Sequence, residues 1–167
     1  MHEQTMAIIA LGSNLGNAGG NVLRAMERLE QLSSTPLRKS SLWQTDPIDC
    51  PPGSSPFVNA IVVLTPRNNE TPELLLKKLL RLEREFGRKP KKLHNEARPL
   101  DLDLIAFGDE TRNTTELTLP HPRAHTRRFV LEPLNEVCPG FVLPGQTKSA
   151  KQLLEELPAW GEAKRIS

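Results

Sequence analysis

Residues 98–108 read RPLDLDLIAFG, and this stretch decides the predicted fold. Between Pro99 and Gly108 it contains no proline or glycine, and it is apolar apart from two aspartates. The pattern predicts a buried strand over residues 101–107. Because side chains two residues apart point to the same face of a strand, we expect Asp101 and Asp103 to stand side by side, with Cα atoms roughly 6.5 Å apart at ~3.3 Å of rise per residue.

The paired aspartates suggest a metal site. Two buried carboxylates repel each other and lose solvation, and a cation offsets both costs. Hard carboxylate oxygens suit Mg²⁺, which takes one or two protein carboxylates and leaves its other positions to water and phosphate. Such a pair can also hold two metal ions about 3.5–4 Å apart. The alternative is that the aspartates form salt bridges with Arg98 or with nearby lysines.

Composition and charge narrow the class of protein. The chain has 167 residues, of which 37% are apolar and 25% charged, so we expect one domain over residues 1–167 with its own core. A net charge of +2 is too small to argue for a nucleic-acid partner. Basic side chains nevertheless cluster in residues 81–98 and 123–128, on either side of the acidic pair. This arrangement suits a polyphosphate chelated to metal.

Cysteine content and apolar runs predict where the protein is found. Cys50 and Cys138 are the two cysteines, and a chain of this size does not need a disulfide to fold. The N-terminus shows no signal-peptide pattern, and no apolar run reaches the ~18 residues of a membrane span. We therefore expect free thiols and a cytoplasmic protein without a membrane partner. We also expect a monomer, although none of these signals bears on the oligomeric state.

The order of elements predicts the fold class. We expect a ferredoxin-like α+β sandwich, in which a mostly antiparallel sheet of order β-α-β-β-α-β packs against helices, with a C-terminal addition. The predicted elements are a strand over 6–11, a helix over about 18–32, an edge strand over 37–45, a loop over 46–56, a strand over 57–64, a helix over 71–87, a basic loop over 88–98, the strand over 101–107, a short strand near 115–119, a helical segment over 126–135 and a last helix beginning at Ser149.

A second group of residues suits a flat heteroaromatic ligand. Phe57 and Asn59 lie two apart in a predicted strand and so share a face. An aromatic ring offers a stacking surface, and an amide offers in-plane hydrogen bonds. Phe129 could cover the other face of such a ligand. Ordinary core packing of both phenylalanines is the alternative, although a buried Asn must have its polar groups satisfied.

A third group, in residues 119–129, favours phosphate over zinc. His121 and His125 have the spacing of a helical zinc pair, but His121 precedes Pro122, and a residue before proline avoids the helical region. Histidine and arginine donors suit phosphate oxygens better. The sequence contains neither a Walker phosphate loop nor a dinucleotide-binding glycine motif, so side chains and metal would have to hold the phosphates of ATP.

Glu83, near a helix C-terminus, either serves the site or pairs with Arg84 or the basic loop.

The sequence resembles the 6-hydroxymethyl-7,8-dihydropterin pyrophosphokinase family of folate biosynthesis. The similarity lies in five segments that occur in the family's order and together span residues 11–137: LGSNLG (11–16), FVNAIVVLT (57–65), LEREFGR (82–88), RPLDLDLIAFGD (98–109) and LTLPHPRAHTRRFVLEPLNEV (117–137).

This resemblance implies a function and its residues. The family transfers pyrophosphate from the co-substrate ATP to the hydroxymethyl group of the dihydropterin and releases AMP, using a pair of Mg²⁺ ions. The resemblance implies that Asp101 and Asp103 bind the metal ions. It implies that the phosphates are contacted by Arg88, Arg98, His121 and Arg127, and that the pterin is bound by Gly12, Thr45, Ile48, Phe57, Asn59 and Phe129. The residues that it places around the nucleotide are Glu83, Leu104, Leu117 and Thr118.

Two departures from the family affect the basic loop. Asn95 stands where well-studied members often carry tryptophan, and Pro90 stands where they carry a basic residue. Closure of residues 88–98 over ATP is therefore expected to use different contacts.

Two other functions compete with this one. A non-catalytic ferredoxin-like module that binds a small heterocycle would explain Phe57 and Asn59, but not an acidic pair beside basic segments. A metal-dependent phosphoesterase acting on nucleic acid would need a larger basic surface than this chain offers.

Overall fold

A computed structural model describes residues 5–46, 53, 55–87, 99–158 and 163–166. Within these ranges the chain forms strands and helices in an order that contains the predicted β-α-β-β-α-β core. The elements are β1 (Ala7–Ser13), α1 (Ala18–Glu30), β2 (Arg38–Lys39), β3 (Trp43–Thr45), β4 (Phe57–Leu64), α2 (Pro72–Glu85), β5 (Asp101–Phe107), β6 (Arg112–Asn113), β7 (Thr118–Leu119), a 3₁₀ turn (Ala124–Thr126), α3 (Arg128–Val137), α4 (Ala150–Glu156) and β8 (Lys164–Arg165).

The main sheet is antiparallel and has the strand order β5-β1-β4-β3-β8, with β2 also paired to β4. Strands β6 and β7 form a separate hairpin. The first and fourth strands of the predicted core, β1 and β5, are therefore neighbours, as a ferredoxin-like sheet requires. The predicted fold class is confirmed, with the two long strands β1 and β4 at the centre.

Helices cover both faces of this sheet. On one face, Ile9 and Leu11 of β1 pack with the buried sides of α1 and α2. On the other face, Ile8 and Ala10 pack with α3 and α4. Because consecutive residues of a strand point to opposite faces, a strand covered on both sides is apolar throughout. This explains why all seven residues of β1 are buried.

Local signals set the limits of α2. The Thr71 hydroxyl accepts a hydrogen bond from the backbone N–H of Leu74 at 3.1 Å, and Pro72 occupies the first turn. Both features stabilise a helix start. Gly87 follows the helix with φ of 92°, a conformation that favours glycine. The predicted helix over 71–87 is thus confirmed at both ends.

The prediction of one edge strand over residues 37–45 was wrong in two respects. The segment forms two short strands, β2 and β3, because the Ser40 hydroxyl takes the place of a backbone carbonyl and accepts the N–H of Ile61 at 2.9 Å. It is also not the edge of the sheet at β3, because β8 pairs with Trp43 and Gln44.

In the described part of the chain, no helix combines the length and the apolar character that a bilayer crossing requires.

Candidate active site

One row of residues across the sheet organises the site. Gly12 of β1 is paired with Asp101 of β5 on one side and with Asn59 of β4 on the other. Paired residues of neighbouring antiparallel strands share a face. The acidic pair and the predicted ring-binding amide therefore lie on the same face of the sheet, separated by one strand whose residue has no side chain.

The two aspartates project from that face together. Asp103 is paired with Ala10, which belongs to the face covered by α3 and α4. Leu102, between the aspartates, is buried in the core on the opposite face. Asp101 and Asp103 are themselves half-buried, so their carboxyl groups remain within reach of a ligand.

Glu83 supports this strand from the other face. Its side chain is 3% exposed, and its Oε2 accepts the backbone N–H of Leu102 at 2.7 Å. Strand β5 is the first strand in the order of the described sheet. Without Glu83, an N–H group of β5 that points away from β1 would have no hydrogen-bond acceptor within the sheet. Glu83 thus contacts the backbone between the two aspartates, and its placement around the nucleotide, which the resemblance implies, stays a prediction.

A basic segment lies beside the aspartates. The backbone N–H of His121 donates to the carbonyl of Ile105 at 2.8 Å, which attaches this segment to β5. His121 Nδ1 accepts the N–H of Arg123 at 3.2 Å. A neutral imidazole that accepts at Nδ1 carries its proton on Nε2, so the ring offers Nε2–H as a donor.

The electrostatic environment favours neutral His121. Burial lowers the pKa of His121 below its usual value of 6.5, and the positive charges of Arg127 and Arg123 lower it further, while Asp101 opposes them. Burial and the positive charge of Arg123 also lower the pKa of Arg127, whereas the negative charges of Asp103 and Asp101 raise it. These opposing effects indicate that the charges of the basic segment and of the acidic pair act on one another.

The residues predicted for a ring surround the other end of the row. Asn59 Nδ2 donates to the Thr45 hydroxyl at 2.8 Å. Phe57 is paired with Thr45 and is half-buried. Phe129, in the first turn of α3, is also half-buried, and the guanidinium of Arg127 lies 5.3 Å from the centre of its ring. The structure therefore brings Thr45, Asn59 and Phe57 together and places Phe129 next to the phosphate-binding candidate Arg127.

The structure does not bring all predicted residues to this face. The side chains of Leu104 and Leu117 are buried in the core against α1 and α2, on the face opposite the aspartates. Thr118 is exposed on β7. Ile48, Arg88 and Arg98 lie outside the described residues, as do the departures Pro90 and Asn95.

Glu136 is a residue of the site's framework that the sequence did not reveal. Its carboxylate accepts hydrogen bonds from the Ser41 backbone and hydroxyl and from Trp43 Nε1. Burial alone would raise the pKa of Glu136, but these hydrogen bonds outweigh it and the pKa is lowered. Glu136 thereby fastens α3, which carries Phe129, to β3, which carries Thr45. The partners are more than 90 residues apart in sequence, so no local pattern could have linked them.

The acidic pair has the chemistry of a site for a hard divalent cation. Among the residues that the structure describes, no group of three or more histidine, cysteine, aspartate or glutamate side chains is arranged to hold a metal. A site for zinc would need such a group. Two half-exposed carboxylates suit Mg²⁺, which completes its shell with water and phosphate oxygens.

Comparisons with known proteins converge on one family. The family model described as 7,8-dihydro-6-hydroxymethylpterin-pyrophosphokinase (HPPK) matches residues 8–139. The 2-amino-4-hydroxy-6-hydroxymethyldihydropteridine pyrophosphokinase of Synechocystis sp. is 35% identical over 151 residues, covering 90% of this chain and 75% of that protein. The protein of the same name from Haemophilus influenzae is 36% identical over 152 residues, covering 90% of this chain and 89% of its own.

A solved structure shares the fold. The crystal structure of Plasmodium falciparum HPPK-DHPS with pteroate superposes with a TM-score of 0.69 at 13% sequence identity, and it covers 92% of this chain and 44% of that chain. At this identity the similarity establishes the architecture of the sheet and its helices.

Proposed function

The chain belongs to the 7,8-dihydro-6-hydroxymethylpterin-pyrophosphokinase family, and from this premise we propose how its residues act. The reaction moves pyrophosphate from ATP to the hydroxymethyl group of 6-hydroxymethyl-7,8-dihydropterin and releases AMP, a step of folate biosynthesis. The observation that carries the proposal is the row Asp101–Gly12–Asn59.

The row sets the distance between the two substrates. Asp101 and Asn59 flank Gly12, so their Cα atoms are two strand spacings, or about 10 Å, apart. A pterin bound to Asn59 and stacked between Phe57 and Phe129 would direct its hydroxymethyl group across Gly12. The nucleophilic oxygen would then lie near the phosphates held by the acidic pair and the basic segment.

Catalysis in this account is mainly positioning and neutralisation of charge. The pterin hydroxyl gives up its proton and attacks the β-phosphorus in line, the bond between the β-phosphorus and the oxygen that bridges it to the α-phosphate breaks, and AMP leaves with that oxygen. Asp101 and Asp103 are proposed to hold a pair of Mg²⁺ ions, which when bound neutralise the phosphates and acidify the hydroxyl.

The basic residues complete the phosphate site. His121 donates Nε2–H to a phosphate oxygen, and Arg127 stabilises charge on the transferred group while it lies beside Phe129. Arg88 and Arg98, which lie outside the described residues, are proposed as further phosphate contacts. The guanidinium of Arg127 lies 5.3 Å from the centre of the Phe129 ring, and this contact would join the phosphate site to the pterin site.

The test is whether AMP forms from ATP only when both the pterin and Mg²⁺ are present. Chromatographic separation of AMP and the pyrophosphorylated pterin should show equal amounts of the two products. ATP hydrolysis that is independent of the pterin would contradict the proposal. Binding of the pterin without any AMP would instead support the non-catalytic module.

We also propose that the chain acts as a monomer. Light scattering at micromolar concentration should then give a mass near 18.7 kDa, with or without both substrates. A mass of twice that value would overturn this part of the proposal.

A further inference from the structure

Arg128 belongs to the basic cluster of residues 123–128, but its guanidinium lies at the end of another helix. Nη2 donates to the backbone carbonyl of Leu157 at 3.1 Å and to that of Pro158 at 2.8 Å. Nη1 donates to Glu132 Oε1, one turn further along α3, at 3.1 Å. The side chain of Arg128 is only 16% exposed. Arg128 thus joins the start of α3 to the end of α4.

The charge of Arg128 is placed unfavourably for its own helix and favourably for α4. A cation at a helix N-terminus meets the positive end of the helix dipole. Arg128 is the first residue of α3, and the first turn of that helix contains no acidic residue. Leu157 is the C-cap of α4, where backbone carbonyls lack partners within the helix and form its negative end. The guanidinium is therefore stabilised by α4 and not by α3.

The start of α3 also differs from that of the other described helices. Side chains cap α1, α2 and α4 by accepting a backbone N–H, and these caps are Asn17, Thr71 and Ser149. Arg127 occupies the corresponding position of α3, and its side chain makes no capping hydrogen bond there. A helix start without a local cap depends more on tertiary contacts. The contact that Arg128 makes with α4 is of this kind.

Helix α4 packs against both elements that meet at Arg127. Arg127 has an extended backbone, with φ of −104° and ψ of 116°, between the 3₁₀ turn and α3. Ala150 and Leu153 of α4 are buried in one cluster with residues from either side of this junction. These residues are Ala124 of the 3₁₀ turn and Val130 of α3. Displacement of α4 would therefore be transmitted to Arg127.

We propose that Arg128 is a positioning residue, and that its bonds to the end of α4 fix the turn that presents Arg127 and Phe129 to the two substrates. The inference rests on the function proposed above. It gives a role to α4, which lies beyond the residues 8–139 that match the family. The competing view is that Arg128 only stabilises the packing of α4 on α3.

The test compares Arg128→Met, which removes every donor, with Arg128→Lys, which keeps the charge but not the planar fork. Lys148→Met is the matched control, because Lys148 forms an ion pair with Glu156 of α4 and both side chains are about half exposed. Calorimetry should measure Kd and the number of sites for the pterin. It should do the same, with Mg²⁺, for an ATP analogue that has a methylene group between its α- and β-phosphates.

Arg128→Met should raise the Kd of the ATP analogue by about tenfold, the effect of one charge-assisted hydrogen bond from Arg127. It should raise the Kd of the pterin by about threefold or more, because Phe129 stacks less well. Arg128→Lys should fall between Arg128→Met and the wild type, and Lys148→Met should bind as the wild type does. A purely structural role would instead lower the number of sites and leave both Kd values unchanged.

A double-mutant cycle tests whether Arg128 acts through its neighbour. In an Arg127→Ala protein the ATP analogue should already bind weakly, and adding Arg128→Met should raise its Kd by less than about twofold, because residues that act through one another are not additive. A full tenfold effect of Arg128→Met without Arg127 would show that Arg128 acts by another route, and the inference would be wrong.

Unchanged Kd values for Arg128→Met, or equal losses for Lys148→Met, would also overturn the inference. If Arg128→Met does not fold, Arg128→Lys decides the matter: raised Kd values with an unchanged number of sites support the role, and wild-type Kd values overturn it. Each of these negative results leaves the proposed function standing when the wild type makes AMP. A wild type that binds neither substrate overturns both.

Discussion

His121 shows how a single residue of this site is prepared for its ligand. Its Nδ1 accepts a backbone hydrogen bond, and its pKa is lowered by burial and by two arginines. The neutral ring with Nε2–H is therefore the favoured form of the free protein. A bound triphosphate brings negative charge next to the ring, which favours the protonated form.

We predict that an ATP analogue binds with uptake of a proton near neutral pH, and that its affinity rises as the pH falls toward 6.5, the usual pKa of histidine. Calorimetry in two buffers of different ionisation enthalpy measures this uptake. His121→Gln should bind more weakly and lose most of the uptake. Equal uptake by the variant and the wild type would assign the proton to another group.

The lowered pKa of His121 also affects stability. The unfolded chain binds the proton more readily than the folded chain does. The stability that this difference contributes is therefore fully present above the usual pKa of 6.5, and it is lost as the pH falls from that value through the lower pKa of the folded state. Urea unfolding of the free protein should show a shallower decline of stability below this pH for His121→Gln than for the wild type.

Asn59→Leu tests the other end of the row. Leucine is close in size but offers no hydrogen bond, so the ring's polar edge would be desolvated without a partner. We expect the pterin Kd to rise by about 100-fold or more, as is usual when a polar ligand group loses its buried partner, while the ATP analogue binds normally. An unchanged pterin Kd in calorimetry would remove Asn59 from the site.

At the scale of elements, β5 depends on a contact from α2. Glu83 accepts the N–H of Leu102 at 2.7 Å, and a buried N–H without a partner costs roughly 1–3 kcal/mol. We predict that Glu83→Ala lowers the free energy of unfolding by an amount of this order and also slows turnover, because the aspartates flank Leu102. Urea unfolding and AMP formation measure the two effects.

Glu83→Gln is the matched comparison, since glutamine keeps an acceptor for Leu102 and loses the charge. It should retain more stability and more activity than Glu83→Ala. If Glu83→Gln were inactive while remaining as stable as the wild type, the charge of Glu83 would have a direct role at the nucleotide, as the resemblance implied.

Elements whose signals are local could be predicted from the sequence. The strands over 57–64 and 101–107, and the start of α2 at Thr71, depend on patterns within a few residues, and each is found where the sequence placed it. The break between β2 and β3 could not be predicted, because it depends on Ser40 meeting Ile61 across the sheet. The pairing of β8 with β3 is likewise a long-range contact between short, polar segments.

The same limit applies to the site. The shared face of Asp101 and Asp103 follows from strand periodicity alone. The opposition of Asp101 and Asn59 across Gly12 depends on the register of three strands, and the link from Glu136 to Ser41 and Trp43 depends on how α3 lies over β3. Sequence patterns and the resemblance predicted candidate residues for the chemistry, but not Glu136, which holds the elements that carry them.

At the scale of the whole molecule, the second helical layer shapes the site. The α3–α4 side covers one face of the sheet up to the row containing Gly12, and Phe129 at the start of α3 borders the uncovered part. The opposite face is filled by α1 and α2 and contributes core residues such as Leu102 and Leu104. The site is therefore the portion of one sheet face that the C-terminal helices leave open.

The central claim is that the neighbouring carboxylates of β5 bind the cation on which transfer of pyrophosphate depends. The most direct test is the single-turnover rate of AMP formation by Asp103→Asn at saturating Mg²⁺, ATP and pterin. The matched control is Asp109→Asn, which changes an exposed aspartate just beyond the same strand. The account predicts a fall of at least about 1,000-fold for Asp103→Asn, with pterin affinity and thermal midpoint preserved and with normal rates for the control. A rate for Asp103→Asn within about tenfold of the wild type, which is a difference of only ~1.4 kcal/mol in barrier, would contradict it.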